Sequence, residues 1–307
     1  MAFALKNADL FAETNSAAKP FKMLLAPRIG MDFFRNLATK DPFKRLEFFK
    51  VQGFRAVEGL VFVQHKKPYT AKQKETHKLL GQKAKALGFI MGPQSSMNEK
   101  DFPTMTAFKT PDGKSGKTAL RDMLKRQLDT TFEVLSNVGG KTFIIGAGAQ
   151  DNELPDEIQF ANVVENMAFC AEICQKAGFV MEIEPLNTQS HKGIYCNTAT
   201  LGAEICEQVN MKSCRLLFDV FHEQMQTGNL NSIDNPLVYK HIESFHIADA
   251  PTRQEPGTGV IDYAKFFEKI WNKGFRGVLG LEHKQSANTV ECEMQMLKTY
   301  RAFDAKI

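Results

Sequence analysis

Four side chains able to bind a hard cation recur at even intervals in the second half of the chain. Glu184 lies in MEIEPLN, Asp219 in RLLFDVFH, His246 in SFHIADAPTRQEPGTG and Glu282 in VLGLEHK. The steps between them are 35, 27 and 36 residues, about one strand–helix unit each time. Each ends an apolar run, so each falls at a strand terminus, and consecutive units bring the four to one rim. Three carboxylates and an imidazole make an oxygen-rich set. It suits Mn²⁺, Mg²⁺ or Co²⁺ with open coordination positions better than a closed structural zinc site. Three negative charges held together repel strongly unless a cation joins them. Taken singly, each residue has a plainer explanation: Asp219 as a helix N-cap, His246 as a satisfied polar group, Glu282 paired with Lys284. Their order at four matching strand ends favours one divalent-metal site.

The elements that must position these groups are legible from periodicity. Short apolar runs occupy Phe21–Ala26, Phe54–Leu60, Gly88–Gly92, Thr142–Gly146, Phe179–Glu184, Cys214–Asp219, Ile242–Asp249 and Gly277–Glu282. Eight such runs with helical stretches between them predict a single-domain α/β (β/α)8 TIM barrel over residues 20–307, after an N-terminal extension over 1–19. Alternation along the sixth strand puts Arg215, Leu217 and Asp219 on one face. On the eighth, Val278, Gly280 and Glu282 share a face, and Gly280 leaves room there. Asp156–Ala177 reads as a helix opened by Pro155 and closed by Gly178, and Tyr263–Asn272 as another. The polar stretch Gln94–Lys117 predicts a long loop at the active-site face, either a lid or an insertion without function.

Composition narrows the partners. The net charge of +4 is small and unclustered, so no nucleic-acid stripe is expected and a small molecule is the expected ligand. The six cysteines form no CxxC pair and read mostly as buried small hydrophobes in a reducing compartment. No apolar run approaches a membrane span, and the first 19 residues lack a basic segment followed by a continuous apolar core. A cytoplasmic enzyme is expected, with a trimmed export signal as the alternative.

The motifs EPLN (Glu184–Asn187), FDVFH (Phe218–His222), HIADAPTRQEPGTG (His246–Gly259) and GLEH (Gly280–His283) resemble the hydroxypyruvate isomerase group of the xylose isomerase-like barrel superfamily. LAPRIGM (Leu25–Met31) and GFRAVEG (Gly53–Gly59) are weaker echoes, so the resemblance covers most of the chain after residue 20. It implies that Glu184, Asp219, His246 and Glu282 hold one divalent ion. It also implies that Glu184 and Glu282 act as the acid/base pair and that His222 and Arg253 bind substrate oxygens. The implied reaction is isomerisation of a small hydroxy-carbonyl compound, hydroxypyruvate to tartronate semialdehyde, through an enediolate. The alternative is a ketose 3-epimerase or an inosose isomerase or dehydratase with the same metal site. A homodimer is expected by analogy.

Three departures bear on the substrate. His246 stands where hydroxypyruvate isomerases usually carry Gln, Arg28 replaces a first-strand His, and Val260 replaces a Glu. Two other classes compete: an apurinic endonuclease, which needs more histidines on the early strands than Glu58 and Gln94 provide, and a non-catalytic sugar-binding barrel. Finally, Glu182 is expected inside the barrel one layer below Glu184, paired with Arg215 either alone or together with Glu58.

Overall fold

The computed structural model describes residues 18–31, 33–61, 68–95 and 103–307. Among the described residues there are nine strands: β1 Leu24–Pro27, β2 Ala56–Val57, β3 Ile90–Met91, β4 Gln94–Ser95, β5 Thr142–Ile145, β6 Val180–Ile183, β7 Cys214–Asp219, β8 Ile242–Ile247 and β9 Val278–Leu281. Every ladder between them is parallel. Seven strands run in the order β1-β9-β8-β7-β6-β5-β4, and β2 pairs with β3. A parallel bridge between Arg28 and Glu58 joins the end of β1 to the end of β2 and closes the ring. Of the expected third strand Gly88–Gly92 only β3 forms, and after Gly92–Pro93, where Pro93 has no N–H to give the ladder, the stave resumes as β4 on the first two residues of the expected Gln94–Lys117 loop. The expected eight-position barrel is therefore present with one interrupted stave.

Helices cover the outside. Asp156–Ala177 is helical over the expected span, and Gly178 closes it at φ +76°, a conformation costly for any residue with a Cβ. Tyr263–Asn272 also matches its expected bounds. Between helices and sheet lies a core rich in phenylalanine, in which Phe21, Phe33, Phe34, Phe49 and Phe54 are all buried. Five of the six cysteines are buried and all are free thiols, as their spacing suggested. Of the Gln94–Lys117 loop, residues 96–102 lie outside the described residues. The following part is fastened down: Thr106 Oγ1 donates to the Ala149 carbonyl at 2.8 Å, and Asn166 Nδ2 donates to the Met105 carbonyl at 3.0 Å. The loop is thus docked on the barrel at Met105–Thr106 and exposed over residues 111–117, and residues 1–17 of the N-terminal extension lie outside the described residues. No described helix is long and apolar enough to cross a membrane.

One irregularity sets up the site. Leu216 pairs with Ile242, but Leu217 pairs with Ser244, so Glu243 is an extra residue in β8. Neighbouring register partners in a parallel sheet point the same way. Without the extra residue Asp219 would lie beside Phe245, whose ring packs at 4.7 Å on Phe275. With it, Asp219 lies beside His246.

The same bulge overturns the expected Glu182–Arg215 pair. The two residues are register partners, yet the Arg215 side chain runs to the N-terminal rim. There its Nε lies 3.3 Å from Glu243 Oε2 and its Nη2 donates to the Lys240 carbonyl at 2.8 Å. Glu182 is fully buried and receives the Ser244 hydroxyl instead. Burial pushes its carboxyl up to about 8, so at neutral pH it is a neutral acid and requires no cation. Arg215→Ala is accordingly expected to lower stability by less than about 1 kcal/mol in urea unfolding, since its pair is partly solvated. A loss of several kcal/mol would mean that Arg215 supports Glu182 after all.

Candidate metal centre and acid/base site

The four residues singled out by spacing converge. Glu184 follows β6, Asp219 ends β7, His246 lies in β8 and Glu282 follows β9, at four consecutive positions of the ring. One ligand atom from each lies within 4.8 Å of the others. His246 Nδ1 is the hub: 3.1 Å from Glu184 Oε1, 2.8 Å from Glu282 Oε2 and 3.8 Å from Asp219 Oδ2. Asp219 serves two purposes. Its Oδ1 accepts the His222 backbone N–H at 2.9 Å and caps the helix Val220–Thr227, while Oδ2 faces the cluster. The capping explanation therefore holds for a side chain whose other oxygen belongs to the candidate ligand set.

The electrostatics follow from burial and crowding. Burial works against a charged His246, but Glu58 and Glu184 outweigh it and raise the imidazole well above its ordinary value. Burial likewise opposes ionisation of Glu184, and the hydrogen bond and charge of His246, with His222 and Arg253 nearby, hold it low all the same. The set therefore draws positive charge to itself. Carboxylate oxygens and an imidazole nitrogen this close fit a small divalent ion, which would be held by Glu184, Asp219, His246 Nδ1 and Glu282.

His222 and Arg253 also reach the site. Arg253 Nη2 lies 3.1 Å from Asp219 Oδ2 and 2.7 Å from Glu282 Oε2, and its guanidinium stacks over Phe221 at 5.1 Å. Burial takes His222 down to about 4, so its ring is neutral at neutral pH. Its Nδ1 accepts the Asn187 backbone N–H at 3.1 Å, which leaves the ring proton on Nε2. Nε2 faces Arg253 Nη1 at 3.0 Å. Two donors pointing at each other are unfavourable, and an acceptor oxygen within reach of both relieves the conflict.

Three contributors escaped the sequence reading of the site. Glu58, at the end of β2, is fully buried and lies 3.4 Å from His246 Nε2. Gly280 makes room for it, since a Cβ on Gly280 would collide with the Glu58 carboxylate. Arg28 lies between Glu58 and Glu282. Asp249 organises the loop that carries Arg253, accepting the backbone N–H groups of Ala250, Gly257, Gly259 and Ile261. Its position in HIADAPTRQEPGTG, before a glycine-rich turn, was the available signal. Val260, the missing carboxylate of the motif, points to solvent at 71% exposure and leaves the ligand set intact. Asp249→Ala is expected to cost about 2 kcal/mol or more, because four backbone donors, those of Ala250 and Ile261 buried, lose their acceptor. Hydrogen exchange should show the amides of residues 257–261 losing protection, whereas an unchanged exchange pattern would mean the loop is ordered by other contacts.

Comparison with known proteins agrees with this architecture. The xylose isomerase-like TIM barrel family model matches residues 46–300. The hydroxypyruvate isomerase of Escherichia coli is 30% identical over 141 residues, covering 46% of this chain and 54% of that protein. The 2-oxo-tetronate isomerase of Cupriavidus necator is 31% identical over 129 residues, covering 42% and 49%. The chain thus spans about half the length of the curated relatives it matches. Among solved structures, a family 2 AP endonuclease from Brucella melitensis superposes with a TM-score of 0.69 at 18% identity, covering 90% of this chain and 98% of that one. An L-ribulose 3-epimerase gives 0.65 at 19%, covering 92% and 93%. At these identities the two structures speak to the fold. With its parallel ring of strands and its carboxylate–imidazole cluster at the strand ends, the chain belongs to the xylose isomerase-like TIM barrel family.

Proposed function

We propose that the protein is a divalent-metal-dependent isomerase of a small 2-oxo acid bearing a neighbouring hydroxyl, with hydroxypyruvate the leading substrate. One observation carries this reading: Glu184 and Glu282 approach a common point from the two outer positions of the four-strand rim, and Arg253 reaches into the same mouth. The names of the two relatives, a hydroxypyruvate isomerase and a 2-oxo-tetronate isomerase, support it, since both denote isomerases of 2-oxo acids.

In this reading one of the two glutamates removes a proton from the hydroxymethyl carbon. The freed electron pair forms the carbon–carbon double bond of an enediolate, and the other glutamate delivers a proton to the former carbonyl carbon. The oxygen-bound proton moves from the former hydroxyl to the former carbonyl oxygen, so the product is the aldehyde isomer and no redox partner is needed. The bound cation, Mn²⁺, Mg²⁺ or Co²⁺, would act as a Lewis acid toward the two substrate oxygens and offset the charge of the enediolate. Arg253 holds the substrate carboxylate in its fork, and His222 donates from Nε2 to an adjacent oxygen. A ketose 3-epimerase is the second reading, favoured by the imidazole of His246 where the isomerase pattern has an amide.

Isomerisation of hydroxypyruvate should stop on chelation and return with Mn²⁺ or Mg²⁺. Glu184→Gln and Glu282→Gln should each lower kcat by about a hundredfold to ten-thousandfold. Arg253→Met should chiefly raise KM. Turnover of ketoses that is indifferent to Arg253→Met, with none of hydroxypyruvate, would replace this reading with the epimerase.

A further inference from the structure

Four ionisable side chains from four strand ends form a closed circuit on one side of the ligand set. His246 Nε2 lies 3.4 Å from Glu58 Oε1, and the same oxygen lies 3.3 Å from Arg28 Nε. Arg28 Nη1 reaches Glu282 Oε1, and Glu282 Oε2 returns to His246 Nδ1 at 2.8 Å. Glu58 and His246 are fully buried and Arg28 nearly so. Sequence and backbone are arranged to admit this circuit. The Arg28–Glu58 bridge is also the contact that closes the barrel between β1 and β2. Gly280, the register partner of His246, has no side chain where the Glu58 carboxylate lies.

We propose that Arg28 and Glu58 are a buried brace for the metal centre, positioning residues that hold His246 and Glu282 in the orientation a divalent ion needs. This rests on the metal-dependent reading above and goes beyond it, because neither residue is a ligand. Glu58 Oε1, 3.4 Å from Nε2, is the carboxylate placed to draw a proton to that nitrogen, which leaves the Nδ1 lone pair of His246 facing Glu184, Asp219 and Glu282. Without that acceptor the ring can carry its proton on Nδ1, where it opposes a cation. Arg28 holds one oxygen of Glu282 and leaves the other for the ligand set. Charge balance points the same way. With Glu58, four carboxylates crowd the mouth, and a divalent ion together with Arg28 and Arg253 offsets them.

The test is calorimetric titration of Mn²⁺ into the chelator-stripped protein and its variants, with thermal melting of each stripped variant alongside. The wild type should bind one ion. Glu58→Ala and Arg28→Met should each weaken binding by about ten- to a hundredfold. The double variant should lose little beyond the worse single one, because the pair acts as a unit. Arg28→Lys, which keeps the charge but not the fork, should fall between wild type and Arg28→Met. In the Mg²⁺-loaded protein, imidazole ¹⁵N signals should place the His246 proton on Nε2, and Glu58→Ala should move or broaden that signal. Variants that melt lower yet bind Mn²⁺ within threefold of wild type would make the pair a packing feature and overturn the brace. Failure of the wild type itself to bind Mn²⁺ would overturn the metal-dependent reading, and the brace with it.

Discussion

The structure turns on like-charge crowding. Three carboxylates and an imidazole are held so that their ligand atoms lie within 4.8 Å of one another, in surroundings where Asp219 and His246 are almost or fully buried. At such separations in a low dielectric the repulsion costs several kcal/mol, and the backbone must be stiff enough to sustain it. A parallel ring of strands supplies that stiffness, since each ligand stands at the end of a ladder fixed on both sides. The rest of the mouth is arranged to offset the charge. Arg253 bridges Asp219 and Glu282, Arg28 bridges Glu58 and Glu282, and His246 is pulled toward its protonated form. A divalent ion would compete with these internal cations for the same oxygens.

Much of this was legible in the sequence because it depends on local rules. Strand spacing and the order of acidic residues located the four-member set, and Pro155 with Gly178 bounded a 22-residue helix. What escaped depended on side-chain reach and on register. Parity correctly grouped Arg215 with the inward residues of β7, but a long side chain near a strand's N-terminal end can run to the rim, and the extra residue Glu243 gave it a partner there. The same bulge decides that His246, and not Phe245, lies beside Asp219, and no single-strand pattern announces it. Glu58 was seen as a strand-end acid and as a sharer of the Glu182–Arg215 pair but not as a neighbour of His246, because that closeness is a contact across the ring that needs the bare Cα of Gly280. The room expected at Gly280 exists, and a carboxylate from another strand occupies it.

The arrangement also explains how one barrel can separate its tasks. The ligand set comes from rigid strand ends, whereas Arg253 stands on the loop after β8, at φ +55°, held by the backbone contacts that Asp249 organises. Its carbonyl accepts the Lys284 N–H at 2.8 Å, which ties that loop to the segment after β9. Substitutions in such a loop change the groups offered to the mouth and leave the strand ends in place. His222 belongs to both layers, being fixed by Asn187 on one nitrogen and aimed at Arg253 with the other.

The central claim is that the four strand-end groups are one divalent-ion site. Anomalous diffraction from crystals of the protein grown with Mn²⁺, collected at the manganese edge, tests it most directly. The account predicts a single strong peak about 2.0–2.3 Å from Glu184, Asp219, His246 Nδ1 and Glu282. A well-ordered site with no peak there, or a peak held by other residues, would contradict it.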